Sequence, residues 1–162
     1  MIIARTLSNG TMNRVSKIFS VALLAFLLQA APAAAEPLDL AGYEGKVIVL
    51  DFWASWCVPC RRSFPWWNTM HARYAEEGLV IIGVNLDNDA AAAAEFLDEF
   101  PAEFRIYYDV DKSVASSFGV QAMPSTYIIG RDGEIHAKHF GFKVKQQDEY
   151  EAVIVTALKA GE

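Results

Sequence analysis

The sequence predicts an α/β fold in which helices flank a central mixed sheet on both faces. Two almost wholly apolar runs, residues 47–52 and 79–86, have the length and β-branched content of buried strands. The segment between them repeats apolar side chains at helical spacing, and two consecutive short strands follow near the C-terminus. The resulting order βα, βα, βα, ββα requires a sheet with both parallel and antiparallel pairs.

Residues 1–35 have the composition of a secretory signal peptide and are predicted to lie outside the fold. They contain three basic residues and no acidic one, and an apolar run covers residues 18–28. The small-residue tract 33–35 then supplies an A-x-A signal, so we expect cleavage after Ala35. The apolar run is shorter than the roughly 20 residues that span a bilayer. The alternative is that residues 18–31 remain as an anchor in the inner membrane.

Removal of this segment makes the chain more acidic. All 20 acidic residues follow Ala35, whereas three of the 14 basic ones precede it, so the net charge changes from −6 to −9. This charge disfavours nucleic acid and anionic lipid as partners. We therefore expect no nucleic-acid binding and, after cleavage, no stable membrane insertion. Residues 36–162 are long enough for one domain with its own core.

The first half of this domain is predicted from apolar runs separated by turn residues. A polar lead-in over residues 36–46 contains at most a short strand. After the strand 47–52, a helix over residues 58–77 carries aromatic side chains at helical spacing, which predicts core packing. Gly78 ends this helix, and the strand 79–86 follows.

An extra helix and strand are predicted next. Residues 87–89, Asp-Asn-Asp, combine a turn with an N-cap, because the spacing and glycine of an EF-hand calcium loop are missing. Strong helix formers then fill residues 90–100, and residues 104–108 form a short strand.

The remaining elements close the sheet. We predict a turn and short helix over 109–118, strands over 126–130 and 134–140 joined by a hairpin turn, and an amphipathic helix over 147–159.

Cys57 and Cys60 are the only cysteines, and they lie where the first strand is followed by a helix. Two thiols three positions apart can close a disulfide there with little backbone movement. At a helix N-terminus the thiolate form of Cys57 is favoured. A lone C-x-x-C could also be half of a zinc site or a structural disulfide, but no second cysteine pair exists and the three histidines lie far downstream. The flanking Trp53, Trp56 and Pro59 favour a redox centre, so no metal site is predicted.

Residues 51–60, DFWASWCVPC, resemble the active site of the thioredoxin superfamily and, more narrowly, of the periplasmic TlpA/ResA-type thiol–disulfide oxidoreductases. The resemblance extends from about Gly45 to the C-terminus, and FWAxWCxPC is a highly specific motif. It implies a thioredoxin-like fold over residues 36–162, with the helix and strand at 90–108 as the insertion that distinguishes this group from minimal thioredoxin. A single cysteine pair in an exported protein also fits an oxidising compartment, so the periplasm is expected.

The resemblance implies roles for three residues. Cys57 exchanges with a client disulfide, Cys60 resolves the mixed disulfide, and this redox-active pair needs no other cofactor. Asp51 stands where thioredoxin places a buried carboxylate that moves the proton of the second cysteine. Within an apolar strand, desolvation would raise its pKa toward the useful range.

Met123 and Pro124 precede a predicted strand and match the family's cis-proline, which lies against the cysteine turn. There the backbone of Met123 is expected to pair with an extended substrate chain. With Trp56 and Pro59, these residues form the expected substrate-binding surface.

The chain departs from the family pattern at two places. Many ResA-like proteins carry a glutamate where this sequence has Ser63, and they usually lack an acid at the position of Asp51. The lysine that accompanies the thioredoxin carboxylate is also missing, since Gly83 and Val84 occupy that neighbourhood. These differences favour a general dithiol reductant over a role in cytochrome maturation.

The residues between the cysteines also favour a reductant, because Val58 and Pro59 offer no charge that would strongly stabilise a thiolate. Arg61 and Arg62 act in the opposite direction, from solvent. The expected partners are disulfide-bearing exported proteins and a membrane electron donor for the dithiol.

Two rival activities of the same fold depend on other residues. A peroxidase would need a threonine at Ala54. A copper-binding metallochaperone of the Sco type would use C-x-x-x-C and a distant histidine; the spacing here is one residue short, although His139 could approach the sulfurs. Copper binding therefore remains the alternative to disulfide reduction.

Overall fold

The computed structural model describes residues 37–160, which form a five-stranded mixed sheet with helices on both faces. The strands are β1 (Val47–Trp53), β2 (Leu79–Asn85), β3 (Arg105–Tyr108), β4 (Ser125–Ile129) and β5 (Ile135–Phe140). Their order is β3-β2-β1-β4-β5, in which β1, β2 and β3 run parallel and β4 is antiparallel to both β1 and β5. The predicted fold class is confirmed, and it includes the extra helix and strand predicted within residues 90–108.

The helices are α1 (Cys60–Tyr74), α2 (Ala90–Glu99), α3 (Ser113–Phe118) and α4 (Gln147–Lys159). None of the helices described between residues 37 and 160 has the length and apolar character needed to cross a bilayer. The predicted signal peptide and its cleavage site fall outside the described residues and remain predictions.

The core lies on both faces of β1, whose seven residues are all buried. Successive side chains of a strand point to opposite faces. Val49 and Trp53 therefore pack with α1, α2 and α4 on one face, while Leu50 and Phe52 pack with residues of β4 and α3 on the other. A strand buried on both faces explains why its sequence is a continuous apolar run without alternation.

The lead-in contains a single 3-10 turn, Ala41–Tyr43, which agrees with the prediction of at most a short strand. Helix α1 is shorter than the predicted 58–77 at both ends: it ends at Tyr74, and turns occupy residues 75–78. Helix α1 begins at Cys60, two residues later than predicted, because Pro59 takes the N-cap position and the preceding chain forms a tight turn in which the Cys60 N–H donates to the Cys57 carbonyl at 3.0 Å. Cys57 therefore lies in a turn before the helix and not in its first turn.

Candidate active site

Cys57 and Cys60 form a disulfide at the carboxyl end of β1, with their Cα atoms 5.3 Å apart. Cys57 is 3% exposed and Cys60 is completely buried, so the first cysteine is the one that reaches the surface. The neighbouring Trp56 and Val58 are 66% and 62% exposed. A partner that approaches Cys57, the less buried of the two cysteines, therefore meets exposed apolar side chains on both sides of it.

The Met123–Pro124 peptide bond is cis, as predicted, and directly precedes β4. Ser125, the first residue of β4, pairs with Phe52 near the end of β1, which places Pro124 at the same end of the sheet as the disulfide. Pro124 is buried and its carbonyl accepts from the Gly141 N–H at 2.8 Å. Met123 is half-buried, and within residues 37–160 neither of its backbone groups is hydrogen-bonded.

Asp51 occupies the middle of β1 and has no exposed surface. It lies between Val49 and Trp53 on the face covered by α1, the face on which Cys60 also packs. The Thr126 hydroxyl donates to its Oδ1 at 2.7 Å, while Oδ2 has no hydrogen-bond partner among the described residues.

Burial raises the pKa of Asp51 from 3.8 to about 7. The hydrogen bond from Thr126 opposes this rise, and the nearby indole N–H of Trp67 opposes it further without reaching full hydrogen-bond geometry. A carboxyl group with this pKa can both accept and release a proton near neutral pH, as a proton-transfer group requires.

The residue opposite Asp51 across the β1–β2 ladder is Gly83, which has no side chain that could assist the carboxyl group. A Cβ atom at Gly83 would lie 2.9 Å from Cδ1 of Ile106 and 3.1 Å from the ring of Phe104. The packing of this sheet therefore leaves no space there for the lysine that thioredoxin uses.

Ser63 is completely buried in the first turn of α1, and its hydroxyl donates to the carbonyl of Cys60 at 3.1 Å. Ser63, which stands where many ResA-like proteins carry an acid, thus lies beside the buried Cys60 and is neutral. Among the predicted site residues, Asp51 is therefore the one acid that could take the proton of Cys60.

Asp87 has a role that the sequence analysis missed. Its Oδ2 accepts from the Ser55 N–H at 2.8 Å and its Oδ1 from the Ser55 hydroxyl at 2.9 Å. The N-cap of α2, predicted within residues 87–89, is Asp89, which accepts from the Ala91 N–H. Ser55 and Asp87 are 32 residues apart, so no local pattern links them. The available signal was topological, since both follow neighbouring parallel strands whose carboxyl ends meet at one edge.

The described residues give the copper alternative no third ligand. Between residues 37 and 160, no three histidine, cysteine or acidic side chains are grouped so that they could hold a metal ion. His139 lies on β5 with its ring 4.8 Å from that of Tyr150, and burial lowers its pKa.

Comparison with known proteins places this arrangement among thiol–disulfide exchange proteins. The Redoxin family model matches residues 16–154. A crystal structure from Chlorobium tepidum, described as a thiol:disulfide interchange protein DsbE, has a TM-score of 0.71 and 41% sequence identity, and the match covers 74% of this chain and 84% of that one.

Two curated relatives bear the name thiol-disulfide oxidoreductase ResA. The protein from Bacillus thuringiensis is 29% identical over 112 residues, which are 69% of this chain and 65% of the relative. The protein from Oceanobacillus iheyensis is 36% identical over 98 residues, which are 60% of this chain and 51% of the relative. The chain thus spans less than two thirds of the length of these relatives.

Proposed function

The chain belongs to the Redoxin family as a TlpA/ResA-like member of the thioredoxin superfamily, and from this premise we propose that it reduces disulfides of exported proteins by thiol–disulfide exchange. The observation that carries the proposal is the Cys57–Cys60 disulfide at the end of β1, beside the exposed Trp56 and Val58 and with a buried carboxyl on the same face of the sheet. The names of the ResA and DsbE relatives describe the same chemistry.

The reaction begins with the dithiol form. The Cys57 thiolate attacks one sulfur of the client disulfide, and the other client sulfur leaves as a thiolate that takes a proton from solvent. Cys60 then gives its proton to the carboxylate of Asp51 and attacks the sulfur of Cys57. The second client sulfur leaves, so two electrons have passed to the client and Cys57–Cys60 is a disulfide.

The client is bound as an extended chain beside Cys57. The unpaired backbone N–H and carbonyl of Met123 supply hydrogen bonds to such a chain, and Trp56 and Pro59 supply apolar contact, while the buried Pro124 adjoins Met123. Backbone pairing is insensitive to client sequence, which suits a reductant that acts on many exported proteins.

We place this activity in the periplasm, after removal of residues 1–35. The disulfide left by each turnover is reduced again by a membrane electron donor, and no cofactor beyond the cysteine pair takes part. Val58 and Pro59 add no charge that would stabilise a thiolate, which favours reduction of clients over their oxidation.

The test is reduction of insulin by the protein with dithiothreitol as electron source. Wild type should accelerate insulin precipitation, and Cys57→Ser should abolish the acceleration. Cys60→Ser should stop after one exchange and accumulate a mixed disulfide, because no second thiol releases the client.

Two outcomes would contradict the proposal or its roles. A wild-type protein that does not accelerate the reaction, yet binds copper in a parallel titration, would favour the metallochaperone. Rapid alkylation of Cys60 before Cys57 at neutral pH would reverse the two cysteine roles.

A further inference from the structure

The loop after β2 is bonded to the end of β1 immediately before the cysteine pair. The Leu86 N–H donates to the Trp53 carbonyl at 2.8 Å, and the carboxylate of Asp87 accepts from both the N–H and the hydroxyl of Ser55. These two bonds, at 2.8 and 2.9 Å, fix both the position and the orientation of Ser55.

Ser55 is a central residue of the turn that leads to Cys57. The Cys57 N–H donates to the Ala54 carbonyl at 3.0 Å, and the next turn follows at once, with the Cys60 N–H donating to the Cys57 carbonyl at 3.0 Å. The chain that carries Cys57 therefore forms two consecutive tight turns, and a hydrogen-bonded contact with Asp87 holds the first of them.

Asp87 is itself held in place. The Asn85 amide donates to its Oδ2 at 2.8 Å, and the Asp87 N–H donates to the Asn85 Oδ1 at 3.1 Å. The ammonium group of Lys112 donates to the carbonyls of Asp87 and Asp109, each at 3.0 Å. Asn85 is only 2% exposed, so this network extends from the protein interior to the active-site turn.

We propose that Asp87 is a positioning residue for the redox reaction, which in the dithiol form keeps Cys57 close to Cys60 and thereby favours closure of the disulfide. The inference rests on the proposed function and refines it. Closure joins the two sulfurs and passes two electrons and two protons to an external disulfide. A turn that is already ordered loses less conformational entropy when the bond forms. Asp87 would thus make the protein a stronger reductant.

The test is the equilibrium of the protein dithiol with oxidised glutathione, which yields the protein disulfide and two molecules of reduced glutathione. We expect Asp87→Ala to lower the equilibrium constant about tenfold, which makes the reduction potential about 30 mV less negative. Asp87→Asn, which retains one acceptor oxygen, should show a smaller shift. Ser55→Ala, which loses only the hydroxyl bond, should shift in the same direction and add little to Asp87→Ala in a double mutant.

Asp89→Ala is the matched control, because Asp89 lies two residues further along the same loop and its carboxylate accepts from the Ala91 N–H as the N-cap of α2. It should lower the melting temperature and leave the glutathione equilibrium unchanged. The inference is overturned if Asp87→Asn and Ser55→Ala keep the wild-type equilibrium, or if Asp89→Ala shifts it equally. These outcomes differ from failure of the proposed function, in which wild type itself does not reduce insulin although its cysteine pair still equilibrates with glutathione.

Discussion

Asp51 is completely buried, and among the described residues only one of its two carboxyl oxygens accepts a hydrogen bond. An ionised carboxylate without a cationic partner is unfavourable in such a place. Burial therefore holds the pKa at about 7, and the ionised form reduces the stability of the folded protein. A residue retained against this cost is expected to have a chemical task.

We predict that the cost is visible as pH-dependent stability. The unfolded chain ionises Asp51 near pH 3.8 and the folded chain near 7, so the residue destabilises the fold progressively between these values and fully above them. Between pH 5 and pH 8, wild type should lose about 2–3 kcal/mol of unfolding free energy relative to Asp51→Asn. Urea unfolding of wild type and Asp51→Asn, each with the Cys57–Cys60 disulfide formed, measures this difference. A difference between the two proteins that does not change with pH would show that Asp51 has an ordinary pKa.

The burial of Asp51 could be predicted from the sequence, because an acid within a continuous apolar strand has no route to solvent. Its hydrogen bond to Thr126, 75 residues later, could not, because it depends on the register of β4 against β1. The same limit applies to Asp87, whose partner Ser55 is brought near by the pairing of β1 with β2.

At the scale of elements, β2 shows how sheet packing excludes an alternative active-site chemistry. Gly83 lies opposite Asp51, and a Cβ atom there would stand 2.9 Å from Ile106, 3.1 Å from Phe104 and 3.2 Å from the indole nitrogen of Trp53. The side chains of Ile106, Phe104 and Trp53 thus fill the space that a lysine at this position would need.

We predict that Gly83→Ala destabilises the protein by about 1–3 kcal/mol through overpacking, since several side chains must shift together. Urea unfolding measures the loss. Gly42→Ala is the control, because a Cβ atom at Gly42 has no atom within 4 Å and its stability should be unchanged. Equal unfolding free energies for the two variants would mean that the side chains around Gly83 move aside without loss of stability.

Helix positions were predicted unequally well for a physical reason. The bounds of α4 agree with the predicted 147–159, since its apolar periodicity is uninterrupted. The start of α1 was predicted two residues early, because the two turns around the cysteines are set by hydrogen bonds to Ala54 and Cys57 that leave no periodic pattern.

Across the whole molecule, export depends on the predicted signal peptide, which lies outside the described residues 37–160. We predict that the exported protein begins at Glu36 and is recovered from the periplasmic fraction. Mass spectrometry of its N-terminus measures this. Recovery of an intact segment 18–31 in the membrane fraction would instead establish an anchored protein.

Mixed-sheet topology and the cysteine pair were predicted from the order of apolar runs and a strong local motif, and the cis-proline was implied by the family resemblance. The contacts that join distant elements at the site were not, because they follow from strand register. The proposed reaction depends on one step, the transfer of the Cys60 proton to Asp51 during exchange at Cys57.

The most direct test of that step is the rate of disulfide reduction as a function of pH for wild type and Asp51→Asn. We predict that Asp51→Asn is slower by about 100-fold or more near neutral pH, the usual range for loss of a general base, with little change in client binding. The defect should shrink as pH rises, because the Cys60 thiol then ionises without help. Superimposable pH profiles for the two proteins would contradict the account and assign the proton of Cys60 to another route.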